Sequence, residues 1–212
     1  MASNEIVFSK SHDVGVITLN RPDAANGLNL MMTNELMEAA IRCDCDPGVR
    51  AVMITATGKM FCAGGDLKAF AEAGDQVSVL AKQMTVSLHT AISRFARMKA
   101  PVVCAVNGTA AGGGLSMILV ADLVLAAESS KFTLAYTRAG LVPDGSSTYF
   151  LPRLVRGEVT FALGYTEPSG GTELASLKTR AGEDEDGFVI NGQKVFTTRA
   201  ETSSHIYLMA RT

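Results

Sequence analysis

The chain opens on a period of two. Glu5–Ser9 and Val14–Leu19 alternate apolar and polar residues and are rich in β-branched types, which predicts two strands joined by Lys10–Asp13 as a hairpin. Arg21–Leu30 gathers Pro, Asn and Gly and reads as a loop. The spacing then turns helical: Leu36, Met37, Ala40 and Ile41 share one face of a helix over Met31–Asp44. Arg50–Thr55 is a short apolar run, the pattern of a buried parallel strand, and a Gly-rich loop follows it as far as Asp66. Gln76–Met98 gives the clearest helix, with Val77, Leu80, Ala81, Met84, Leu88, Ile92 and Phe95 on its apolar stripe. Pro101–Val106 predicts another buried strand, Gly112–Leu119 a helix and Asp122–Ala126 a strand. Strands alternating with helices predict an α/β layer with parallel pairing and right-handed crossovers.

After Gly157 the pattern changes. Gly187–Ile190 and Lys194–Thr198 flank Asn191-Gly192, a strong short-range hairpin signal. Glu183–Asp186 reads as an acidic turn and Ile206–Ala210 as a further strand. The expected organisation is an α/β domain over residues 1–157 and an antiparallel β fragment over 158–212.

Composition narrows the class. The 212 residues are 47% hydrophobic and 19% charged, as in a soluble globular protein, and the net charge of −2 offers no basic excess for nucleic acid or an anionic membrane. No apolar run is long enough to span a bilayer. The first residues lack the layout of a signal peptide, and Cys43, Cys45, Cys62 and Cys104 form no C-x-x-C pair. A reduced cytoplasmic setting without a bound metal is expected.

Two loops carry candidate chemistry. In Gly58–Leu67 a strand enters small residues, and Asp66 can cap a helix that starts at Leu67. In Val102–Gly114 a strand enters Asn107–Ala111, and Gly112-Gly113-Gly114 opens a helix. Small residues let a ligand carbonyl approach the backbone, and free amides ahead of a helix aim at negative charge. Two such donors on one oxygen make an oxyanion hole. Tight strand–helix packing is the competing reading of either loop alone; the pair together favours function.

The words Leu19-Asn20-Arg21-Pro22, Phe61-Cys62-Ala63-Gly64-Gly65-Asp66-Leu67, Ala105-Val106-Asn107-Gly108, Gly112-Gly113-Gly114, Ala121-Asp122 and Gly140-Leu141-Val142-Pro143-Asp144 resemble the crotonase, or enoyl-CoA hydratase/isomerase, superfamily over residues 4–157. The resemblance implies a spiral ββα core that binds acyl-coenzyme A. It puts the oxyanion amides on Gly65 and Gly113, and lines the thioester and pantetheine with Ala63, Gly64, Gly65, Asp66, Leu67 and Lys68. The family's hydratases carry two glutamates where this chain has Ser116 and Tyr136, so activation of water by that pair is not expected. Asp144 stands where some members that shift double bonds or open strained rings carry an acid. Its local chemistry also fits an N-cap of a helix over Gly145–Val155. His89 reads as an edge residue, and Tyr136 and Tyr149 read as aromatic packing.

The tail resembles the start of the acyl-CoA dehydrogenase middle β-domain, in Thr166–Ala181, Asn191–Thr198 and Ala210–Thr212. That resemblance implies flavin contacts at Thr166, Phe196 and Thr198, with Thr172 near a thioester. The helical domains that family needs, one of which holds its catalytic base, have no counterpart here. Dehydrogenation and tight FAD binding are therefore not expected. The helices that build the crotonase trimer have none either, so a homo-oligomer would need other contacts. Leu151–Glu158 reads acceptably in both families, as a join would. The expected activity is a double-bond isomerase with an oxyanion hole, one aspartate base and no cofactor beyond the coenzyme A of its substrate. Its rivals are a fusion remnant that binds coenzyme A at most, and a hydratase with a different water activator.

Overall fold

The computed structural model describes residues 4–156, 161–164, 180–184, 187–191 and 205–208. The predicted hairpin forms from β1 (Ile6–Ser11) and β2 (Val14–Leu19), antiparallel, with Ile6 opposite Leu19. β3 (Ala51–Ala56) then adds to β2 in parallel. A second layer of strands follows at once: β4 (Met60–Cys62) is short and lies outside the main sheet. β5 (Val102–Val106) pairs β3 in parallel, and β7 (Leu123–Ala126) pairs β5 likewise. Between them in sequence, β6 (Thr109–Ala111) pairs β4 on one side and β8 (Phe132–Thr133) on the other, all parallel. These two- and three-residue strands hold too few side chains to show a period, so the sequence pattern passes over them.

Helices cover the main sheet. α1 (Leu30–Cys45) starts where the Asn29 side chain accepts the Met32 amide, and it buries Met32, Leu36, Ala39, Ala40 and Cys43 along one stripe. α2 (Leu67–Ala73) is short. α3 (Val77–Phe95) turns Met84, Leu88, Ala91, Ile92 and Phe95 inward. The core that results includes Ile17, Leu19, Leu36, Val52, Ile54, Phe95, Val102 and Cys104, each at most 2% exposed. Burying each larger side chain in that set contributes roughly 1.5–3 kcal/mol. α4 (Gly113–Leu119) and α5 (Ser147–Arg156) pack against each other.

In the tail, β9 is Phe161–Gly164, β10 Arg180–Asp184, β11 Gly187–Asn191 and β12 His205–Leu208. β10 and β11 pair antiparallel, as expected of this segment, with Asp184 opposite Gly187. Among the described residues β11 pairs with β10 across the acidic turn; Lys194–Thr198, the expected partner across Asn191-Gly192, lies outside them. β12 joins β7 and β9 in parallel, a departure from the antiparallel fragment expected over 158–212: the edge of β7 takes up these two strands, and the main sheet reads β1-β2-β3-β5-β7-β12-β9. Thr166, Thr172, Phe196 and Thr198 also lie outside the described residues.

Candidate active site

The two glycine loops meet because the strands that feed them are partners. Sequence pattern alone makes β3 and β5 the feeding strands; the structure inserts β4 and β6, which pair in parallel with Cys62 opposite Ala110. Parallel strands present their C-terminal ends side by side, so the loops that leave them converge. Contact is close at Gly64. Its φ is +89°, and an added Cβ would lie 2.9 Å from the Ala111 carbonyl oxygen, so only glycine fits both the turn and the neighbour.

Main-chain pairing then orients Gly65. The Leu28 amide donates to the Gly64 carbonyl at 2.7 Å, and the Asp66 amide donates to the Leu28 carbonyl at 2.8 Å. This parallel bridge between Leu28 and Gly65 uses the groups flanking Gly65 and turns Gly65's own N–H to the other side. Gly113 is the first residue of α4, where an N–H has no partner within the helix. Among the described residues, no hydrogen bond takes up the N–H of Gly65 or of Gly113. Both glycines line one cavity of about 180 Å³.

Asp66 fastens the first loop. Its Oδ1 accepts the amides of Lys68 and Ala69 at 3.0 and 3.1 Å, capping α2 as expected. Its Oδ2 accepts from Arg21 at 2.7 Å, and Arg21 also donates to the Gly27 carbonyl at 2.9 Å and lies 3.1 Å from Glu5. Burial by itself would raise the Asp66 pKa, but the Ala69 amide and the Arg21 guanidinium outweigh it and hold the carboxyl below its ordinary range. Ala63 donates to the Ala25 carbonyl at 3.0 Å. Leu67 is 60% exposed, and Lys68 lies 3.8 Å from Glu72 on the outer face of α2. Of the residues expected to form the site, Gly65, Gly113 and Asp144 line the cavity, as does Tyr136; Ala63, Gly64, Asp66, Leu67 and Lys68 are not among its lining residues.

Asp144 is not a side-chain cap. Gly145 and Ser146 take φ of +57° and +63°, so the helix starts only at Ser147. Ser147 donates its amide and its Oγ to the Asp144 carbonyl, leaving the carboxylate free of the helix. Among the described residues that carboxylate has two partners. Oδ1 accepts from the Tyr136 hydroxyl at 2.7 Å, and Oδ2 lies 3.0 Å from His89 Nε2. Tyr136 in turn meets Ser116 Oγ at 2.9 Å. Burial pushes the Tyr136 phenol up; the Ser116 bond pulls the other way, and the Asp144 carboxylate adds to the rise. The phenol therefore stays a donor across the neutral range.

Sequence pattern placed two members of this chain of bonds correctly, His89 exposed and Tyr136 buried, but did not foresee their bonds to Asp144. His89 stands one helical turn from Met84–Thr85 and next to Leu88, all cavity-lining, so its position on α3 carried a usable signal. Tyr149 also departs from expectation: it is 53% exposed and stacks under the Arg153 guanidinium at 3.5 Å. Leu28, Phe70, Ala81, Met84, Leu88, Leu141 and Val142 make the rest of the wall largely apolar.

The fold is α/β, with two strand–loop–helix amide cradles that open on one largely apolar cavity. Residues 9–167 match the enoyl-CoA hydratase/isomerase family, and the chain belongs to that family. Residues 162–212 match the acyl-CoA dehydrogenase middle domain. The chain is 39% identical over 178 residues to a "Probable enoyl-CoA hydratase" of Rhodobacter capsulatus, covering 84% of this chain and 67% of that one. It is 37% identical over 142 residues to the 1,2-epoxyphenylacetyl-CoA isomerase of Escherichia coli, covering 66% and 54%. Among solved structures, an enoyl-CoA hydratase from a Polaromonas species aligns with a TM-score of 0.65 at 32% identity, over 70% of this chain and 58% of that one. The chain thus spans between 54% and 67% of the length of these relatives. Among the described residues no helix is long and apolar enough to cross a membrane.

Proposed function

We propose that the chain is an acyl-CoA isomerase in which Asp144 moves a proton while the Gly65 and Gly113 amides hold the thioester oxygen. The observation that carries this reading is the shared cavity: Gly65 and Gly113, whose N–H groups have no partner among the described residues, and Asp144 all line it. A thioester oxygen between the amides would gain negative charge as the α-proton leaves, and two fixed donors stabilise that charge where water is excluded. Asp144 takes the proton from the carbon beside the carbonyl, the electron pair moves into an extended enolate, and the same carboxyl returns a proton two carbons further on. One base suffices and no water is consumed.

The bonds around Ser116 and Tyr136 favour isomerisation over hydration. Those positions, glutamates in the resembled hydratases, bond here to each other and to Asp144. Their hydroxyls are spent on orienting one carboxylate and supply no second base. The Escherichia coli relative's name, an isomerase acting on a CoA thioester, is consistent with that chemistry. A second reading, acyl-CoA binding without turnover, rests on the chain's partial span of its relatives. On either reading the partner is an acyl-CoA thioester, and the isomerisation requires no FAD. The test is conversion of a 3-enoyl-CoA by the purified chain. Asp144→Asn should cut turnover by about 10²–10⁴ while acyl-CoA binding persists. Binding without turnover in the parent favours the second reading, and hydration of a 2-enoyl-CoA that survives Asp144→Asn overturns both.

A further inference from the structure

The two oxygens of the Asp144 carboxylate face different surroundings. Oδ1 leads inward, to Tyr136 at 7% exposure and through it to Ser116 at 0%. Oδ2 leads outward, to His89, whose side chain is 46% exposed. His89 is not among the residues that line the cavity with Asp144, and its side chain reaches solvent. An acyl group filling the cavity would cover the inner approach and leave the imidazole as the wet one. Imidazole takes up and releases protons near neutral pH.

Resting on the isomerase reading, we infer that His89 is a positioning residue that exchanges the proton held by Asp144 with bulk water during turnover. When Asp144 carries the abstracted proton, its Oδ2–H donates to Nε2, and the ring holds its own proton on Nδ1. Transfer to Nε2 makes the imidazolium and restores the carboxylate. The imidazolium then gives the Nε2 proton to water, which restores the Nδ1–H tautomer. Nε2 next takes a proton from solvent and passes it to the carboxylate, and from there it reaches the product. No proton is gained or lost overall; a substrate proton is replaced by a solvent one.

The experiment is isomerisation of a 3-enoyl-CoA in D₂O, with product deuterium read by mass spectrometry for the parent and for His89→Gln. Glutamine can still bond Oδ2 but cannot relay a proton. Deuterium in the product should fall several-fold in His89→Gln while turnover stays within a few-fold, and added imidazole should restore it in His89→Ala. In the parent, the same addition should leave deuterium content unchanged. Equal deuterium in parent and His89→Gln, with turnover retained, overturns the relay and leaves Asp144 as base, because the 26%-exposed carboxylate then exchanges directly. Deuterium that rises with imidazole in the parent also overturns it. Absence of turnover in the parent, or turnover that survives Asp144→Asn, sinks the isomerase reading and the relay with it.

Discussion

Asp66 ties three elements at one carboxylate, and its replacement has a magnitude that follows from its contacts. Asp66→Ala removes the cap of α2, worth about 1 kcal/mol. It also removes a charge-assisted bond to Arg21, for which about 1.5–3 kcal/mol is usual. Arg21 keeps Glu5 and the Gly27 carbonyl, so the lower end of that range applies. The sum is about 2–3 kcal/mol, or roughly 4–12 °C in Tm for a chain of this size. Asp66→Asn retains a capping oxygen and should lose about half as much. The pH dependence has a definite sign. The folded carboxyl titrates below its ordinary range, so the unfolded chain binds the proton more readily. The stabilisation is complete above the unfolded pKa of about 3.9 and fades as pH falls through the lower folded value. Thermal melts of parent and Asp66→Asn should therefore differ by a constant amount above about pH 5 and converge below about pH 4. A loss under about 0.5 kcal/mol in Asp66→Ala, or a gap that widens on acidification, would refute the reasoning.

Gly64→Ala forces a side chain into a left-handed conformation against the Ala111 carbonyl, at a cost of about 1–2 kcal/mol for the backbone alone; a calorimetric Tm lowered by several degrees, with acyl-CoA affinity reduced, is expected. Burial pushes the Cys62 and Cys104 thiols up to about 12 and Cys43 up to about 11, whereas Cys45 is exposed. Alkylation at pH 8 followed by peptide mass spectrometry should therefore mark Cys45 first and leave the other three until the chain unfolds.

The fold was legible wherever a period ran for four residues or more. α1 and α3 lie within a few residues of their predicted ends because an apolar stripe repeats along them. β4, β6 and β8 were not, since what makes them strands is pairing with residues tens of positions away. The site followed the same division. Gly65, Gly113 and Asp144 sit in recognisable local words, and the structure gathers them around one cavity. His89 and Tyr136 join Asp144 only across separations of 55 and 8 residues, and the helix and turn between them set that approach. The expected Asp144 cap failed for a backbone reason: two left-handed residues after it postpone the helix.

The bridge between Leu28 and Gly65 consists entirely of main-chain atoms. Replacing side chains one at a time would leave its hydrogen bonds intact, so the cost of a substitution there reports the packing of buried Leu28, or the Phe70 ring beside a Cβ added at Gly65, and not the bridge. What specifies it is spacing, meaning the number of residues each loop spends before the strands come level. A one-residue insertion between Cys62 and Gly65, or an ester in place of the Asp66 amide, would do what no alanine does.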